Sequence, residues 1–308
     1  MTRRELLAAA IATPALGARM PIDLSRISAI TDEIGDTPED AIVFARLYKL
    51  QWVELRSVPG KKIGEYAFLD EPLIRQAARE LSNNGLKVSF LNTSLMKFIW
   101  PGMEPARPRR LREGQTIESA KESEARRFDR RLEDLRKAIR AAQILNVDRI
   151  RVFTGLRVAD PSTVMHRVAD VIGEMSKVAE KEQVYLLVEN EASCNVASSA
   201  ELAKIMDMMS SRRVGINWDP DNETAQNAVP FPDGYRLLPK RRLGNVQIKA
   251  KSIMPGAPRL LDWKGIFRAL QQDGYQYRIG LETHVFDGTL IQAAHASMQE
   301  IVRLVQES

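Results

Sequence analysis

Short runs rich in Ile, Val and Leu alternate along this chain with longer stretches in which apolar residues recur every three or four positions. The short runs predict strands at Ile27–Glu33, Gln51–Ser57, Leu86–Ser94, Val147–Gly155, Val184–Glu191, Arg213–Pro220, Leu243–Lys251 and Arg278–His284. The longer stretches predict helices at Pro38–Lys49, Glu71–Asn84, Ser123–Leu145, Pro161–Glu182, Ser198–Met209, Asp262–Asp273 and Leu290–Val305. Thr37-Pro38 and Asp160-Pro161 read as N-caps followed by proline in the first turn, and Asn84-Gly85 and Asp273-Gly274 read as helix stops. Strict strand–helix alternation implies parallel strands with right-handed crossovers. Eight such units close into one α/β domain, a (β/α)8 barrel of the TIM type. Two connections, 96–121 and 221–242, are longer and proline-rich; both follow strands and predict walls or lids over the rim.

The length of 308 residues suits a single barrel domain over 21–308. A hydrophobic share of 44% and a charged share of 28% describe a globular chain with ample core. The net charge of +5 would matter for nucleic acid if it formed a stripe. Most of the surplus lies between Glu104 and Arg140, where 12 Lys/Arg interleave with 8 Asp/Glu. That pattern predicts a solvated helix face with local ion pairs and excludes a phosphate-binding stripe, so no nucleic-acid partner is expected. Cys194 is the only cysteine, which rules out an intrachain disulfide and Cys-based metal motifs. The segment Met1–Met20 pairs Arg3-Arg4 with a modest apolar stretch and a small-residue end, resembling a twin-arginine export signal. Its apolar part is too short to serve as a membrane anchor, so the expectation is a periplasmic protein, with a cytoplasmic one as the alternative.

Four of the predicted strands finish in an oxygen-bearing side chain: Glu189, Asp219, Gln247 and Glu282. Side chains alternate along a strand, so Glu189/Glu191, Asn217/Asp219, Gln247/Lys249 and Glu282/His284 each share a face and can all point into the barrel mouth. Three carboxylates held within about 4 Å of one another repel by roughly 4 kcal/mol per pair at an effective dielectric near 20. Such a cluster needs a cation or bound protons. A single divalent metal ion answers that need, and an all-oxygen set favours Mn²⁺ or Mg²⁺ over Zn²⁺ or Co²⁺.

In order and spacing, Leu187-Val188-Glu189-Asn190, Asn217-Trp218-Asp219-Pro220, Val246-Gln247-Ile248-Lys249 and Gly280-Leu281-Glu282-Thr283-His284 resemble the last four strand motifs of the xylose isomerase-like barrel superfamily, often labelled sugar phosphate isomerases/epimerases. The resemblance covers roughly Ile27 to Val305. It implies that Glu189 and Glu282 form the acid/base pair on a small carbohydrate, that Asp219 is a holding ligand, and that Gln247 completes the metal set where the family usually carries histidine. Asn222 likewise stands where a second histidine is usual. Glu54, Arg56, Asn92, Arg151, Glu191, Asn222, Lys249 and His284 lie near predicted strand ends as substrate-binding candidates, and Trp100 or Trp218 could stack on a sugar face.

Two other activities compete with isomerase or epimerase action. A lyase or hydrolase on keto-glycosides would use the same proton abstraction, and a non-catalytic sugar-binding barrel would need none. A nuclease with a histidine-rich zinc cluster is excluded, because only His166, His284 and His295 are present. A homo-oligomer is compatible with the sequence but not specified by it.

Overall fold

The computed structural model describes residues 21–60, 64–107 and 114–307. The leader Met1–Met20, expected to direct export, lies outside the described residues. Eight strands form one parallel sheet: β1 Ile27–Ala29, β2 Trp52–Leu55, β3 Lys87–Leu91, β4 Arg149–Val152, β5 Tyr185–Glu189, β6 Val214–Trp218, β7 Leu243–Ile248 and β8 Ile279–Leu281. β2 to β8 pair in sequence order, β1 pairs with β8, and a single parallel bridge from Ile30 to Glu54 joins the β1 edge to β2. The barrel is complete.

The strands are almost entirely buried, because helices cover their outer face and side chains fill the inside. The helix Trp263–Gln272 shows how that cover is encoded. Trp263, Ile266, Phe267 and Leu270 recur at a spacing of three and four, and these are the residues it buries. Thr37 caps the first helix by accepting the amide of Asp40 ahead of Pro38, and Gly85 and Gly274 follow helix ends with positive φ.

The observed strands are shorter than the sequence runs at their polar ends, where the chain turns to build the rim. Thr31–Glu33 is a 3-10 turn, Asp219 caps the short helix Pro220–Thr224, and Lys249 precedes the turn Ala250–Ile253. The predicted helix Ser123–Leu145 is two helices, Ile117–Asp129 and Arg131–Ile144, broken at Arg130. The interleaved charges there form local pairs, including Arg126–Glu122 and Lys137–Glu133, as a solvated face requires. Trp100 and Trp218 correct the expectation of sugar stacking. They are 1% and 0% exposed, with their indole N–H groups donated to the Thr154 carbonyl and the Ser199 hydroxyl, so neither presents a face to a ligand.

Ser94, Lys97, Arg157, Ser193 and Ala225 line a cavity of about 790 Å³ above the ends of β3 to β6. Among the described residues no helix is long and apolar enough to cross a membrane.

Candidate active site at the barrel mouth

Inside the barrel, polar side chains form a hydrogen-bonded layer beneath the rim. Glu189 at the end of β5 is level with Asn217 of β6, and Asn217 is level with Asn245 of β7. Asn217 Nδ2 donates to Glu189 Oε2 at 2.6 Å, and Asn245 Nδ2 donates to Asn217 Oδ1 at 3.0 Å. Across the barrel, Glu54 is fully buried and accepts from Ser28 Oγ, Asn92 Nδ2, Asn245 Nδ2 and Gln247 Nε2. All four donors are neutral, so burial raises the Glu54 carboxyl above its ordinary range while the hydrogen bonds offset part of the effect. Gln247 therefore spends its amide N–H on Glu54, and its Oε1 accepts no hydrogen bond.

Gly280 makes room for Glu54. A Cβ at that position would lie 2.0 Å from Glu54 Oε1. Gly280→Ala is therefore expected to destabilise the barrel by about 1–3 kcal/mol in urea unfolding. An unchanged midpoint would place Glu54 elsewhere.

Above this layer Glu189, Asp219 and Glu282 come together, all buried, each with a carboxylate oxygen within 4.8 Å of the others. Glu33, Glu282 and His284 make a second group of the same kind. Either group is close enough to hold a metal ion. Three basic side chains already face these carboxylates. Arg151 Nη1 is 3.1 Å from Glu189 Oε2, and Arg56 Nη1 is 3.1 Å from Glu282 Oε1. Lys249 Nζ is 2.6 Å from Asp219 Oδ2, 3.7 Å from Glu282 Oε2 and 2.7 Å from Asn222 Oδ1. Asp219 Oδ2 and Glu282 Oε2 accept no hydrogen bond of good angle, so the neighbour that balances both is the Lys249 ammonium.

The electrostatics follow from these contacts. Burial alone would discharge Lys249, but Asp219, Glu282, Glu191 and Glu189 hold its ammonium above the ordinary lysine value. Burial pushes Asp219 up to about 8, with Lys249 opposing. Glu282 goes the other way, to about 2, because Lys249, Arg56 and Arg151 outweigh its burial. Glu189 is raised by burial, with Arg151 offsetting part.

His284 sits on the rim with φ 55 and its ring edge-on to the exposed Phe286. Burial and then Lys249 push its imidazole down to about 4 from the ordinary 6.5, against the pull of Glu282. The unfolded chain thus takes up a proton below 6.5 that the folded chain refuses until about 4, so this group lowers stability as pH falls through that window and adds nothing above it. A proton-NMR titration should find the His284 ring still neutral as pH falls through 6.5 and protonating only towards about 4; a midpoint near 6.5 would refute the assignment.

The remaining expected residues separate by depth. Arg56 also binds Asp32 and Glu33, and Glu33 Oε2 accepts the backbone N–H of His284. Glu191 turns aside to Ser193 and Lys97, both of which line the rim cavity. Asn222 receives Lys249 and donates to the Asn190 carbonyl, and Asn190 in turn holds the backbone of Asp219 on both sides. Glu54 and Asn92 lie in the layer below. Asn245, Ser28 and Asn190 join the network without having been singled out in the sequence. Cys194 is buried next to this loop with its thiol pushed up to about 12, an inert state.

The model of the xylose isomerase-like TIM barrel family matches residues 44–306. No functionally curated protein sequence matches the chain. Among solved structures, the IOLI protein with a bound zinc atom superposes with a TM-score of 0.66 at 13% identity, over 92% of this chain and 98% of the other. The 3-keto-D-glucoside 4-epimerase YcjR from E. coli does so with a TM-score of 0.64 at 14% identity, over 91% and 99%. D-psicose 3-epimerase from Clostridium cellulolyticum H10, crystallised with D-tagatose, gives 0.61 at 14% identity, over 92% and 96%. At such identities the structural likeness speaks for the fold, and the family match extends over most of the sequence. The chain belongs to the xylose isomerase-like TIM barrel family.

Proposed function

We propose that this barrel is a carbohydrate isomerase or epimerase that moves a proton on a carbon next to a carbonyl. The observation that carries the reading is the pair Glu189 and Glu282. They come from the ends of β5 and β8, three strands apart in the ring, and their oxygens approach within 4.8 Å at the barrel mouth. Two carboxylates converging on one point can take a proton from one face of a carbon and return it to the other. Glu282 faces Arg56 and Lys249 and is the base, while Glu189, deeper and paired with Arg151 alone, is the group that carries the proton back. The negative charge that develops on the substrate oxygens then lies among three fixed cations, Arg56, Arg151 and Lys249.

The similar epimerases support a carbohydrate as the substrate class. The Mn²⁺ or Mg²⁺ ion expected from the strand-end oxygens could bond Glu189, Asp219 and Glu282 together only by displacing Lys249 Nζ. In this geometry the ammonium stands where such an ion would join Asp219 and Glu282, and no step is routed through one.

A panel of ketoses and 3-keto-glycosides, incubated with EDTA or with added Mn²⁺ and followed by NMR, tests the reading. An isomerised or epimerised sugar is the expected product. Release of an aglycone would make the chain a lyase, and thermal stabilisation by a sugar without turnover would make it a binding protein.

A further inference from the structure

Asp219, Glu282 and Lys249 are 0%, 4% and 1% exposed, so water cannot screen what happens between them. In that setting charge has to be balanced by neighbours within a few ångströms. Around Glu189, Asp219 and Glu282 three cations are already in place: Arg151 against Glu189, Lys249 between Asp219 and Glu282, and Arg56 against Glu282, the last shared with Asp32 and Glu33. The Lys249 Nζ atom also occupies the spot from which an ion would bridge the two strand ends, with Asp219 on one side and Glu282 on the other. The two amides that border the cluster each have one end engaged, while the Gln247 oxygen accepts no hydrogen bond. Asn222 turns its oxygen onto the ammonium, and Gln247 turns its nitrogen onto Glu54.

We propose that the Lys249 ammonium takes the place of a divalent ion in this barrel, bridging Asp219 and Glu282 as a fixed single charge, so that the carboxylate pair works without bound metal. The proposal deepens the proton-transfer reading above and rests on it for the word "works". The placement of the ammonium itself is tested apart from turnover.

Adding a dication to a site that holds a buried ammonium sets like charges a few ångströms apart, which suppresses binding strongly. Mn²⁺ titrated into chelator-stripped full-length protein, with free ion followed by electron paramagnetic resonance, is expected to show no stoichiometric binding even at millimolar ion. Lys249→Met is expected to bind Mn²⁺ tighter by about two orders of magnitude or more, because the three carboxylates then lack one counter-charge. Where that variant fails to fold, Lys249→Gln, whose amide can still reach Asn222, takes its place, and the wild-type titration alone can overturn the proposal. Wild-type protein that takes up one Mn²⁺ at micromolar concentration would overturn it, as would a variant that refuses the ion just as the parent does. Protein that binds no Mn²⁺ and turns over no sugar keeps the ammonium and loses the sugar reading. Protein that isomerises sugars only with stoichiometric Mn²⁺ does the reverse.

Discussion

Glu282→Gln is expected to cut turnover of the responsive sugar by roughly 10²- to 10⁴-fold, the usual worth of a positioned acid or base, while far-ultraviolet dichroism stays native. The amide keeps the shape of the side chain and its reach toward Arg56, so the ring of strands has no reason to open. What is lost is the ability to accept a proton. Arg56 at 3.1 Å and Lys249 at 3.7 Å keep the Glu282 carboxylate charged in the resting state, which is the state a base needs. Glu189→Gln should give a loss of the same order but for the opposite reason, since it removes the proton that Glu189 returns. Substrate binding should change much less in both variants, because Arg151, Lys249 and the rim residues remain. A Glu282→Gln enzyme with parental turnover would remove this residue from the chemistry.

Lys249→Met is expected to lower stability by about 3–5 kcal/mol in urea unfolding with EDTA present, the cost of breaking a buried pair by removing one partner. The side chain is of similar length and apolar, so the loss is not one of packing. It leaves Asp219 Oδ2 and Asn222 Oδ1 without their cation in a place that water does not reach. The same substitution at a solvent-exposed pair, such as Lys121 with Glu104 on the charged face near the rim, should leave the midpoint almost unmoved. If Mn²⁺ restores part of the midpoint of Lys249→Met and none of the parent's, metal and ammonium are competing for one position. A parental midpoint in the variant would mean that Lys249 does not sit between the carboxylates.

The barrel could be read from the chain because its signals are repeated. Apolar runs of strand length, amphipathic stretches such as Trp263–Gln272, and caps such as Thr37-Pro38 all agree, and eight copies of one pattern leave little choice of topology. The strand-end carboxylates were legible for the same reason: alternation fixes which face a side chain leaves from. Alternation says nothing about where a long side chain ends. Arg56, Arg151 and Lys249 were placed near the substrate by their strand ends, but that their flexible stems carry the charge onto the carboxylates is decided only by three-dimensional packing.

Gln247 illustrates the same limit at shorter range. Its place on β7 was clear, but whether it would offer oxygen upward or nitrogen downward depended on Glu54, nearly two hundred positions earlier in the chain. The inward row Asn245, Gln247 and Lys249 did hold a usable sign. Polar residues alternating along the inner face of one strand and just past its end mark an internal network, and Asn245 could have been singled out from it. The two tryptophans misled because a large aromatic near a strand end looks alike whether it lines a pocket or fills the shell behind it. The break at Arg130 left no signal in a run of good helix formers.

The most direct measurement is solvent-hydrogen exchange: keto-sugars incubated with wild-type protein in deuterium oxide and followed by NMR. The account predicts deuterium entering a single carbon next to the carbonyl, at a rate that Glu282→Gln nearly abolishes. Full retention of carbon-bound protium across sugars that demonstrably bind, or exchange that is indifferent to both Glu189 and Glu282, would contradict it.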